Sequence, residues 1–321
     1  QPEMAKSCLD YRSDRLAKAK QKASIYGYQG AMFPWESDDT GEEATPTWAL
    51  TGIFEQHITA DVSIAFWNYF AMTQNQSWLR NEWEVLKQTA NFWVSRAVEN
   101  ADGSYSIHNV VGADEYAQHV DDNAFTNASA IESLKNTIKA AKILNEKVNE
   151  EWIKVSEKLV IHKENGITQN YKGYKGQMIK QADVNLLAYP LHIITDKEQI
   201  KKDLEYYADK IDKKDGPAMA SGVLSVLYAR LGDRDKAYEY FVKSYLPNSR
   251  PPFGVFSESA NSNNPYFATG AGAMLQAVIY GFGGVEQTDK GLQFNKGILP
   301  KKWKSLKIIG IGTDEKTITV N

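Results

Sequence analysis

About ten stretches of this chain carry apolar residues at helical spacing, each roughly 10–20 residues long, and the joints between them alternate in kind. Some joints are short turns. The others are long loops that collect acidic and aromatic residues, and long loops in compact domains are commonly functional. The helical stretches read as 4–23, most of 48–71, 78–94 behind a Ser77 N-cap, 123–144, 149–160, a run starting near Met178, and then 197–211, 217–231, 234–244 and 271–280. From Gly283 the texture changes, and 291–321 holds short alternating runs (L-Q-F, S-L-K-I-I-G-I, K-T-I-T-V) that read as strands. Helix pairs that bury apolar stripes on their neighbours, with the long loops at one end, build a toroid around a central pocket. The expected organisation is a helical domain over 1–282 and a short β segment over 283–321.

Composition narrows the chemistry. A net charge of −3 gives no electrostatic reason to expect nucleic acid or an anionic membrane as partner. No apolar run approaches the roughly 20 residues of a membrane-spanning helix. The single cysteine, Cys8, rules out an intrachain disulfide framework. Eight Trp and seventeen Tyr fit either a large aromatic core or flat platforms for sugar rings.

The stretch from Gly112 to Asn127, G-A-D-E-Y-A-Q-H-V-D-D-N-A-F-T-N, packs Asp114, Glu115, Asp121, Asp122 and His119 into a loop that runs into a helix at Ala124. A second loop, A-M-F-P-W-E-S-D-D-T-G-E-E, sets Trp35 and Glu36 between Pro34 and Gly41, which suits a binding surface. A third, over 247–267, has Glu258 as its one acid. Lys180 and Gln181 stand where a Gly- and Tyr-rich loop enters a helical pattern, a natural place for side chains facing a cleft. His57 and Asp61 share a helix face at i, i+4, but no third ligand sits at metal spacing, so an ordinary hydrogen bond is the preferred reading and no metal or cofactor is expected. Hydrolysis of a glycosidic bond needs a protonated acid and usually a second carboxylate. Glu115 and Glu258 lie in two such loops, with Asp121 and Asp122 as further acid candidates. Asp114 beside Glu115 supplies a like charge that opposes ionisation of its neighbour.

These loops resemble the motifs of glycoside hydrolase family 65. Y-G-Y-Q-G-A-M-F-P-W-E-S is similar to its G-x-x-G-A-x-x-P-W-E-S motif, and G-A-D-E-Y-A-Q-H-V-D-D-N-A-F-T-N to the motif that bears its general acid. I-K-Q-A-D-V resembles its Lys-Gln sugar motif, and P-P-F-G-V-F-S-E with F-A-T-G-A-G-A-M-L-Q resembles its hydrolase branch. The resemblance implies an all-α (α/α)6 barrel and inverting action on α-glucosides of the kojibiose or trehalose type. It carries the acid role to Glu115 and glucose contacts to Trp35, Glu36, Thr59, Lys180 and Gln181. Many members are phosphorylases, whose loop matching 267–276 bears His and Ser for phosphate. Here that loop holds no His or basic residue, which favours a hydrolase with Glu258 as general base. A phosphorylase and a non-catalytic sugar-binding barrel are the alternatives. The family's Trp-Asp-x-Glu helix and β-sandwich precede the region that this chain resembles. The expected partner besides a carbohydrate is therefore an N-terminal region or second chain that completes a barrel lacking its first helix or helices.

Overall fold

Asn123 closes the acidic loop and opens the longest helix. Its side-chain oxygen accepts the Thr126 N–H at 2.8 Å, satisfying a donor that the first helical turn leaves unpaired. In a computed structural model describing residues 1–312 and 315–321, the chain divides into two compact units: residues 1–163 with 168–174, and residues 164–167 with 175–321. Positions 313–314 of the expected β segment lie outside the described residues.

The first unit contains α1 (Pro2–Ser13), α2 (Leu16–Ile25), α3 (Thr51–Phe54), α4 (Ile58–Thr73), α5 (Gln76–Asn81), α6 (Trp83–Arg96), α7 (Ala124–Leu144) and α8 (Glu150–Lys158). Packing runs α1 on α4, α4 and α6 on α7, and α7 on α8. Val62, Phe66, Trp67 and Phe70 of α4, Trp78 and Leu79 of α5, and Val85 and Leu86 of α6 meet in one apolar core, with Phe33 and Ala31 from the intervening loop. Each such buried side chain contributes roughly 1.5–3 kcal/mol.

The second unit holds 3-10 turns at Val184–Leu187 and Leu246–Asn248, α9 (Lys197–Ala208), α10 (Ala218–Arg230), α11 (Arg234–Lys243) and α12 (Ala268–Gln276), which runs on into a π turn over Ala277–Phe282. Here α10 packs on α11, on α12 and on the π turn. Two antiparallel hairpins follow, Val285–Thr288 with Gly291–Phe294 and Leu306–Ile311 with Lys316–Val320. Between them Trp303 packs edge-on to Phe282 (5.0 Å between centroids) and to Phe241 of α11 (5.6 Å).

The helical reading needs five corrections, the first being that 78–94 is divided at Glu82 between α5 and α6. The 4–23 stretch is two helices, broken at Asp14–Arg15. The 48–71 stretch is interrupted at 55–57, where a buried charged cluster takes the chain out of helical geometry. The cap before Trp78 is Asn75 and not Ser77, since the Asn75 side-chain Oδ1 accepts the Trp78 N–H at 3.0 Å. No helix starts near Met178: Ile179 donates to the Lys210 carbonyl and accepts from the Asp212 N–H, so its backbone is spent on a parallel bridge. The three breaks, less the run at Met178, account for the difference between about ten helical stretches and the twelve α-helices among the described residues. The aromatic question is settled mainly by the core: Trp67, Trp78, Trp93 and Trp152 are buried, whereas Trp48 is 82% exposed.

Candidate active site

The Trp35 loop is threaded through the first unit by its own backbone. Ala31 N–H donates to Gln88 O of α6, Met32 N–H to Ala19 O of α2, and Phe33 N–H to the Thr59 hydroxyl of α4 at 3.0 Å. Thr59 is fully buried and stands behind this loop. After buried Pro34, the half-buried Trp35 and exposed Glu36 emerge. One carboxylate then holds both: Glu43 Oε2 accepts the Trp35 N–H and Oε1 the Glu36 N–H, each at 3.0 Å. Thr45 donates its hydroxyl to the same Oε1 at 2.6 Å, and Lys22 of α2 forms a close ion pair with Oε2. Burial alone would raise the Glu43 pKa; Lys22, Thr45 and the Trp35 N–H outweigh it and hold the carboxyl below its ordinary range.

Beneath Trp35 lies His57, its ring 5.5 Å away and edge-on. The imidazole is buried between two carboxylates, with Nδ1 at 2.7 Å from Asp61 and Nε2 at 3.0 Å from Glu55. Burial pushes its pKa down, but Asp61 and Glu55 more than reverse this and lift it to about 10. His57 is thus an imidazolium, and its Nδ1 contact is the helical hydrogen bond expected from the i, i+4 spacing. Among the described residues, no group of three or more His, Cys, Asp or Glu is placed to hold a metal ion.

The acid-bearing loop sorts its carboxylates by their partners. Asp122 is buried, its Oδ1 accepting the Ile107 N–H at 3.1 Å and its Oδ2 facing the Ser106 hydroxyl and His162. Asp121 accepts the Asn109 N–H at 2.9 Å. Asp114, 2% exposed, accepts the side-chain amide of Asn170 at 2.8 Å. Asn170 in turn accepts from Asn123, the cap of α7, through both its side-chain and main-chain oxygens at 3.1 Å. Val110 and Val120 close the loop by exchanging both backbone hydrogen bonds. Three of the four acids therefore build the loop. Glu115 stands half-buried on the turn between Asp114 and Ala117, whose N–H returns to the Asp114 carbonyl at 3.0 Å. The loop has three non-glycine residues at positive φ, Asn109, His119 and Asp122, backbone conformations that persist only where the surroundings over-determine them.

In the second unit, Lys180 and Gln181 follow the Ile179 bridge directly. Gln181 is buried, and Lys180 Nζ lies 3.8 Å from Glu258 Oε1. Glu258 is fixed through its main chain: its carbonyl accepts the Ala218 N–H at the start of α10 and the Asn248 side-chain amide at 3.1 Å, and Ser259 bridges Pro217. Its main chain is thereby tied to the N-terminus of α10, and its carboxylate faces Lys180. Trp35, Glu36, Thr59 and Glu115 belong to the first unit; Lys180, Gln181 and Glu258 belong to the second.

Sequence reading missed Glu43, Glu55, Asn170 and Asn248. All are polar residues in loops or at helix ends, and their roles depend on partners brought in by folding. The one usable signal was Asn at a helix entrance, which Asn123 displays.

The sequence model of the glycosyl hydrolase family 65 central catalytic domain matches residues 1–177 and 168–248. The chain is 52% identical to a kojibiose hydrolase of Flavobacterium johnsoniae, covering 99% of this chain and 47% of that protein. It is 48% identical to a kojibiose hydrolase of Mucilaginibacter mallensis, over 99% of this chain and 48% of the relative. The chain thus spans about half the length of the curated relatives it matches. A solved structure of a human-microbiome protein assigned as a kojibiose phosphorylase superposes with a TM-score of 0.81 at 20% identity, over 100% of this chain and 53% of that one, which shows a shared fold.

Proposed function

The chain belongs to glycosyl hydrolase family 65, and on that premise we propose that it is the larger part of the catalytic domain of an inverting α-glucoside hydrolase acting on kojibiose-type α-1,2 linkages. The observation that carries this reading is the similarity, over 99% of this chain, to about half of each of two kojibiose hydrolases. Glu115 is the general acid and protonates the leaving glycosidic oxygen. Glu258 is the general base and takes a proton from the attacking water. Lys180 stands 3.8 Å from Glu258. Trp35, Glu36, Lys180 and Gln181 hold the glucose, and Thr59 supports it from behind the Trp35 loop. Inversion requires the two carboxyls to stand roughly 6.5–9.5 Å apart in the intact protein, leaving room for one water. The helices form an (α/α)6 barrel over 1–282 completed by N-terminal sequence, and 283–321 is a β segment appended to it.

A phosphorylase would instead use inorganic phosphate as nucleophile. The segment 267–276, A-T-G-A-G-A-M-L-Q after Phe267, offers no cation to hold phosphate, and Glu258 would repel it. The test is product analysis of the intact protein on kojibiose. β-Glucose released without phosphate is the expected result; a strict phosphate requirement with β-glucose 1-phosphate as product would reject the hydrolase. Glu115→Gln should lower turnover by about 10²–10⁴-fold, as loss of a general acid does, while glucose still binds. Unchanged turnover would reject Glu115 as the acid, and glucose binding with no turnover in the wild type would make this a non-catalytic sugar-binding protein.

A further inference from the structure

We propose that Glu43 is the positioning residue of the glucose site, and that Lys22 on α2 serves as its counter-ion. This rests on Trp35 and Glu36 being glucose contacts. The two successive N–H groups of Trp35 and Glu36 converge on one carboxylate, each at 3.0 Å, so Glu43 sets the peptide plane from which both side chains leave. The segment is a tight reversal in which Ser37 bridges Glu43 and Ala44 N–H returns to Glu36 O at 2.8 Å. Asp38 closes the tip by accepting from the Thr40 hydroxyl, Thr40 N–H and Glu42 N–H. Glu43 thus sits at the root of the reversal, with both carboxylate oxygens occupied on the side of Trp35 and Glu36.

The remaining capacity of that carboxylate is taken by Thr45 and Lys22. Thr45 donates at 2.6 Å and also accepts the Glu36 N–H at 3.2 Å. The Lys22 and Glu43 side chains are only 12% and 21% exposed, so neither charge is well solvated and each depends on the other. Lys22 Nζ also donates to Gly52 O at 3.2 Å, which ties the root of the loop to the entrance of the α3 region. A mostly buried ion pair that delivers two charge-assisted N–H acceptors to adjacent residues fixes geometry more than it adds stability. The orientation of the Trp35 ring and of the Glu36 carboxylate is its consequence.

The test is glucose affinity, measured by titration calorimetry in the intact protein and independent of turnover. Glu43→Gln keeps the shape but removes one acceptor and the ion pair. It should weaken glucose about tenfold, the effect of losing one hydrogen bond to a charged group, and raise KM more than it lowers kcat. Lys22→Met should weaken glucose in the wild-type background and add little in Glu43→Gln, because its role runs through Glu43. If Glu43→Gln does not fold, Thr45→Val and Lys22→Met report in its place, and undiminished affinity in both folded variants overturns the proposal. Trp35→Ala separates the two levels. If it abolishes glucose binding while Glu43→Gln binds as wild type, the positioning role fails and the glucose site stands. If Trp35→Ala itself binds glucose normally, the glucose-contact reading fails first.

Discussion

His57 sets the sign of one pH dependence. Its pKa is raised from the usual 6.5 to about 10, so its imidazolium contributes fully below the unfolded value and that contribution is lost as pH climbs through the folded one. Stability should therefore decline between about pH 6.5 and 10 in denaturant titrations. His57→Gln should flatten that decline; an identical slope in the variant would mean that the charge is not held there. Asn170 is the second residue whose chemistry is local and checkable. Asn170→Ala removes the amide donor from the buried Asp114 carboxylate and the side-chain acceptor, though not the main-chain one, from Asn123. The expected loss of stability is about 1–3 kcal/mol. Because Asp114 adjoins Glu115, kcat should fall while glucose affinity holds. A fall in affinity with kcat intact would place Asn170 elsewhere in the mechanism.

At the scale of elements, two glycines mark where loops approach helices too closely for a side chain. A Cβ on Gly30, which has φ +78°, would lie 2.2 Å from Gln88 O and 2.4 Å from Phe92 N, both backbone atoms of α6. A Cβ on Gly112 would lie 2.2 Å from the amide nitrogen of Asn123, the cap of α7. Both alanine variants should lower the denaturation midpoint. Gly30→Ala should lose more, since backbone yields less readily than a side chain and the positive φ adds strain. Gly112→Ala should cost at least the value of the cap it displaces, about 0.5–2 kcal/mol. Equal midpoints for Gly112→Ala and wild type would show that Asn123 relaxes without leaving the helix.

At the scale of the whole molecule, each compact unit has its own core, and the β segment is bound into the second one. Trp303 meets Tyr238 and Phe241 of α11 and Phe282 of the π turn. Trp303→Ala should therefore destabilise the second unit by about 2 kcal/mol or more, toward the lower end of large aromatic truncations because the ring is partly exposed. Amide hydrogen exchange should show α11 and the hairpins losing protection together. Loss confined to the hairpins would mark the tail as a separate folding element.

The residues that surface early in the chain's own text are those whose reason is local. Helical spacing, the Trp-Glu pair behind a proline and the family motifs around Glu115 and Lys180-Gln181 all lie within a few residues of their cause. The sequence by itself determined a helical chain with three acid-bearing loops and its membership of family 65. Tertiary structure decided which acids build the loop. Asp114 is structural because Asn170, 56 positions away, reaches it, and Glu43 orients Trp35 because Lys22, 21 positions back, neutralises it. His57 is charged because two carboxylates and a buried setting coincide. Hydrogen bonds and Coulomb terms act over a few ångströms of space, so they become legible only once folding brings distant positions together.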